Sequence, residues 1–114
     1  MRLPGRARFR DVIARQLTMF AEEHHDLLLR AEQARVSYTH SRADMAEEHY
    51  GDYMDLVEEA EEELLALRDR YAETMAARDR TRYEREFLRA AERQLPSLSA
   101  RRVYRRAMDP DLDE

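Results

Sequence analysis

The 114-residue chain has no cysteine, no lysine, no asparagine and no tryptophan, and only two glycines and three prolines. Without cysteine, disulfide scaffolds, thiol catalysis and thiolate metal sites are excluded. Pro4, Gly5, Gly51, Pro96 and Pro110 are too few to punctuate a many-stranded sheet, which removes sandwiches, barrels and doubly wound folds. Two isolated glycines cannot build a phosphate-cradling loop either. The longest run of large apolar residues is Leu27-Leu28-Leu29, far short of a membrane span or a secretory core. The basic start, Met1 to Arg10, has no apolar stretch behind it, so the expected location is cytoplasmic.

Charge is abundant: 39% of residues are Asp, Glu or Arg, against the usual quarter. Apolar residues make up 43%, but sixteen are alanine, leaving 33 bulky ones for a narrow core. All twenty basic residues are arginine and there is a single isoleucine. Lysine, asparagine and isoleucine share AT-rich codons, so their scarcity marks a high-GC genome. The arginine excess is therefore not read as selection for phosphate-binding forks. The net charge of −5 is segregated: +4 over residues 1–20, −11 over 21–77, +6 over 78–106 and −4 over 107–114. An acidic middle between basic ends favours association within or between chains.

From Ile13, apolar positions fall at Leu17, Phe20, Leu27, Ala31, Ala34 and Tyr38 with alternating spacings of four and three, interrupted only by His24. This is the seam of a packed helix over 8–38. After a turn at 39–42, a second seam runs through Ala46, Tyr50, Tyr53, Val57, Ala60, Leu64, Leu67 and Tyr71, predicting a helix over 43–78. Ser41 and Asp44 resemble a capping box at its start. Folding at 40–41 sets Tyr50 and Tyr53 opposite Leu27, Ala31 and Ala34, and brings Ile13 and Leu17 to Leu64, Leu67 and Tyr71. Large rings facing small residues fill such a seam. Thr81 and Glu84 suggest a second capping box and a third helix over 82–95, stopped by Pro96. A short helix over 98–107 and an acidic tail over 109–114 complete the chain. The expectation is one all-α domain over 1–108: a long antiparallel, coiled-coil-like hairpin with a third packed helix, prone to form bundles.

The runs Arg15-Gln16-Leu17-Thr18-Met19-Phe20 and Tyr50-Gly51-Asp52-Tyr53-Met54-Asp55-Leu56-Val57-Glu58 resemble those of short, uncharacterised all-helical proteins of high-GC actinobacteria. The likeness spans roughly residues 8–95 and implies a helical fold without implying an activity, a site or a substrate.

Glu22-Glu23-His24-His25 is the sharpest candidate for chemistry. Glu22 and His25 stand at i, i+3, the Glu-x-x-His spacing of carboxylate-bridged di-iron bundles. The seam places His24 inward but Glu22 and His25 outside it, and the second helix offers no inward Glu-x-x-His. A metal site built from Glu22, His25, His24 and Glu61 is therefore an alternative that needs dimerisation. The plainer expectation is surface residues, with His24 bonded to Glu61 or Tyr53. Gly51, inside a helix, costs about 1 kcal/mol relative to alanine; either a close neighbour offsets that or the helix tolerates it. Glu58, Glu59, Glu61, Glu62 and Glu63 form an acidic run, read as a solvated face or as a dock for Arg101, Arg102, Arg105 and Arg106 of the same or another chain. Those arginines, with Tyr104 and the arm Arg2, Arg6, Arg8 and Arg10, carry only a weak nucleic-acid signal, because net charge is negative and no helix-turn-helix is present.

The sequence thus points to a non-enzymatic helical interaction module that self-associates, most simply as a dimer, with a protein partner possible and no cofactor. The interaction residues are those four arginines with Glu58, Glu62, Met54 and Leu65. Beside the seam, Val12, Met19, Leu28, Met54, Leu56, Leu65 and Met75 form apolar stripes for a partner chain, or for residues 96–108 folding back. A ferritin-like metal-binding dimer and a nucleic-acid accessory protein are the alternatives.

Overall fold

A computed structural model describes residues 9–96 and Leu98. It is all-α, with no strand among the described residues: α1 Arg10–Glu23, α2 His25–Thr39, α3 Ala46–Ala72 and α4 Ala77–Gln94. The arm at residues 1–8, most of the short helix expected over 98–107, with Arg101, Arg102, Arg105 and Arg106, and the acidic tail at 109–114 lie outside the described residues. The bundle is elongated, 56 × 34 × 25 Å.

α2 and α3 form the expected hairpin. Leu27 and Ala31 on α2 and Tyr53, Val57, Ala60 and Leu64 on α3 are buried. Near the turn the Tyr38 ring meets those of Tyr50 and Tyr53 at 5.0 and 6.4 Å, which fits folding at 40–41. The Ser41–Asp44 capping box does not form. α3 starts later, at Ala46, with Met45 before it and no side-chain cap. The Ser41 hydroxyl instead donates to the carbonyl of Ser37 at 2.8 Å, serving the open end of α2. A hydroxyl has one proton, so the His49 Nδ1 that contacts Ser41 Oγ must be the donor of that bond. One serine cannot cap both helices, and it closes the preceding one.

The continuous helix expected over 8–38 is broken at His24, whose φ of −112° and ψ of 29° leave the helical region. The Phe20 and His24 rings lie 4.6 Å apart at this break. α1 then diverges from α3: at the backbone level it meets chiefly α4, while α2 meets chiefly α3. The expected seam of Ile13 and Leu17 directly on Leu64, Leu67 and Tyr71 gives way at the backbone level to packing of α1 on α4, with all of these side chains joined in one core. α4 wedges between, with Tyr83 and Phe87 fully buried. The Tyr83 ring lies 5.6 Å from Phe9 and 5.2 Å from Tyr71, and its hydroxyl donates to Gln16 Oε1 at 2.7 Å.

The boundary between α3 and α4 also moves, from 78–82 to 73–76. Arg80 is the cause: its Nε and Nη2 donate to the carbonyls of Ala72 and Met75 at 3.1 Å each, closing the C-terminus of α3. Thr74 Oγ1 adds a bond to the Tyr71 carbonyl at 2.7 Å. Thr81 then falls inside α4 and caps nothing, and Ala76 precedes the helix without a side-chain cap.

Side chains from all four helices join one core. α4 spans 18 residues and α3 spans 27, about 27 and 40 Å. Leu98 tucks in beside Glu61, Leu64, Leu65, Leu88 and Ala91. Toward the turn, α2 and the first half of α3 continue as an arm that α4 does not reach.

Candidate functional site

The break at His24 gathers the residues singled out for metal chemistry without making them converge. Glu22, Glu23, His24, His25 and Asp26 line an open cleft with Arg30 of α2 and with Glu59 and Glu63 of α3. Glu22 and His25 are exposed at its rim and His24 is half-buried. Glu61 is buried, at 8% exposure, but on the other flank of α3, beside Leu98. His24 and Glu61 therefore face different clefts. Among the described residues, no three His, Asp or Glu side chains come together as a metal-ligating group.

The arm carries the more distinctive surface. Three consecutive leucines on an α-helix fan over about 200° of its circumference, so they cannot all face one partner. Leu27 is buried against α3, Leu28 is half-buried, and Leu29 stands 46% exposed. Val36, one heptad on and on the same stripe, is 41% exposed, and Tyr38 and Met45 near the turn are exposed as well. Among the described residues the remaining exposed bulky apolar side chain is Met19 on α1. The side stripes are narrower than the sequence suggests, because Val12, Leu28, Met54, Leu56 and Met75 are half-buried against the core.

Charge divides the arm lengthwise. α2 holds Asp26, Glu32, Arg30 and Arg35 and is neutral overall, whereas α3 holds ten acids and two arginines. On α2, Arg35 grips the Glu32 carboxylate through Nε and Nη2 at 3.0 and 2.6 Å. That bond holds the Glu32 carboxyl below its usual range. On α3, Glu58 and Glu62 are exposed, and Met54 and Leu65 are half-buried. Leu65 borders Leu98. The acidic and apolar members of the expected interaction set thus share one helix.

Two features are not legible in the heptads. One is the Gln16–Tyr83 bond between α1 and α4. Burial pushes the Tyr83 phenol up to about 12, with the Gln16 bond acting against the shift. Burial also raises the Tyr53 phenol. The other is a groove between α1 and α4 lined by Arg10, Arg89 and Arg93 over Ile13, Ala14 and Ala90, with Glu86 at its edge. The i, i+4 spacing of Arg85, Arg89 and Arg93 was the available signal for the basic stripe of α4.

No described helix is long and apolar enough to cross a membrane. Compared with known proteins, the chain matches no family model, no curated protein and no solved structure.

Proposed function

We propose that the protein is a non-enzymatic helical interaction module that self-associates through the outer face of α2. The observation carrying this reading is the stripe of Leu29 and Val36, 46% and 41% exposed, on the one arm helix with no net charge. Two α3 faces would bring like charges together, whereas two α2 faces would not. Packing α2 against its copy about a two-fold axis turns two arms into a four-helix bundle and removes these apolar side chains from water. The module would act as a scaffold, with the rest of the bundle free for a protein partner.

Light scattering coupled to size exclusion over a hundredfold dilution tests the reading. A dimer at micromolar concentration is expected, and the double variant Leu29→Glu, Val36→Glu should be monomeric with unchanged helicity. Both positions are exposed, so the substitutions leave the core intact. A species near 13.6 kDa at every concentration would sink the proposal.

A further inference from the structure

Ile13, Ala14 and Ala90 form the floor of the groove between α1 and α4. Ile13 and Ala90 are 2% and 6% exposed, so the floor is closed as well as apolar. The two alanines carry one methyl each, and their size leaves a cavity of about 250 Å³. Arg89 and Arg93 stand on its α4 rim one turn apart, and Arg10 stands on the other rim at the start of α1. The carboxylate that lines the groove, Glu86, is already engaged by Arg82 at 3.3 Å. Arg35 and Arg68 likewise hold carboxylates, and Arg80 holds carbonyls. Among the described residues, no ion pair engages Arg10, Arg89 or Arg93. It is where these three arginines stand, not how many arginines the chain has, that sets them apart.

We propose that this groove binds a small phosphate monoester with an aryl or short alkyl body, the phosphate on the three arginines and the body on the floor. An apolar concavity with a few convergent polar groups is the usual form of a small-molecule site. Three guanidiniums without a described counter-charge suit two negative charges better than one. A phosphate monoester carries a charge of about −1.5 to −2 at neutral pH and presents three acceptor oxygens. Guanidinium forks match those oxygens in pairs. The cavity, about 250 Å³, lies just under the roughly 300–1,000 Å³ of drug-sized sites, which sets the ligand at a body of one or two rings. An α-helix, about 10–12 Å across with its side chains, is too wide to enter it. The proposal does not rest on self-association, which uses the α2 face.

Naphthyl phosphate is the probe, its fluorescence titrated with the full-length protein at physiological ionic strength. One saturable site per chain is expected. Inorganic phosphate and naphthol, the two halves of the probe, should each bind about tenfold more weakly or worse. The double variant Arg89→Gln, Arg93→Gln should lose about tenfold or more in affinity at unchanged helicity, since both positions are exposed. Ala14→Leu keeps all three arginines but fills the floor, and it should lose the naphthyl phosphate site while its helicity is retained. The variant Leu29→Glu, Val36→Glu should bind as the parent chain does, so a failure of self-association leaves this result readable. Absence of saturable binding, or equal binding by the arginine variant, would overturn the proposal. Equal affinity for inorganic phosphate would reduce the groove to an adventitious ion only, and equal affinity for naphthoate would overturn the assignment to phosphate.

Discussion

Tyr83→Phe removes one oxygen from the centre of the α1–α3–α4 junction and leaves the ring contacts with Phe9, Tyr71 and Phe87 in place. At neutral pH the loss is one hydrogen bond, to Gln16 Oε1 at 2.7 Å. Such a bond contributes about 0.5–1.5 kcal/mol, and because Gln16 is half-buried its freed carbonyl can find water, so roughly 1 kcal/mol is expected. The alkaline limb is more diagnostic. The Tyr83 phenol sits at about 12 in the fold against an ordinary 10.0. Between those values the unfolded chain has lost the proton and the folded chain keeps it, so stability falls as pH rises. Two units at about 1.4 kcal/mol each make a loss of roughly 2–3 kcal/mol by pH 12, which the phenylalanine variant escapes. Urea unfolding followed by helical circular dichroism from pH 7 to 12 should therefore show the wild type more stable at neutrality and the variant more stable at the alkaline end. The other tyrosines are common to both proteins and cancel. Parallel stability curves across the whole range would refute the burial of Tyr83 between α1 and α3. The double variant with Gln16→Ala should cost less than the two single changes combined, because both remove the same bond.

Leu64→Ala should cost about 2–4 kcal/mol in the same unfolding assay, since Leu64 is 3% exposed, whereas Glu62→Ala on the outer face should change stability by less than roughly 0.5 kcal/mol. Equal effects would mean the α3 register is wrong. A Cβ at Gly51 meets nothing within 4 Å, so Gly51→Ala should raise stability by about 0.5–1 kcal/mol; a loss would reveal another helix pressed against that position. Because Glu61 and His24 face different clefts, dialysed protein should hold no stoichiometric first-row metal by elemental analysis. One metal per chain that disappears in His25→Ala would revive the di-metal reading.

Periodicity alone determined the helical class, the α2/α3 pairing and most of the core. Ile13, Leu17, Phe20, Leu27, Val57, Ala60 and Leu64 all lie buried as their spacing requires, because a helix repeats every 3.6 residues wherever it sits. The outward placement of Glu22 and His25 was legible for the same reason. Capping was not. Whether Ser41 serves the helix before it or the one after it depends on which backbone groups the turn brings within 3 Å, and Arg80, with no capping signature, closes α3 from eight residues downstream. The break at His24 falls on the one polar position of the first seam, but the spacing of four and three runs on through it, so the heptads read as one continuous helix. A pattern of apolar positions says which face is buried but not by which neighbour, and one break sends α1 to α4 while α2 stays with α3. That choice was tertiary: Tyr83 and Phe87 had to be enclosed from two sides, and a single two-helix seam offers only one.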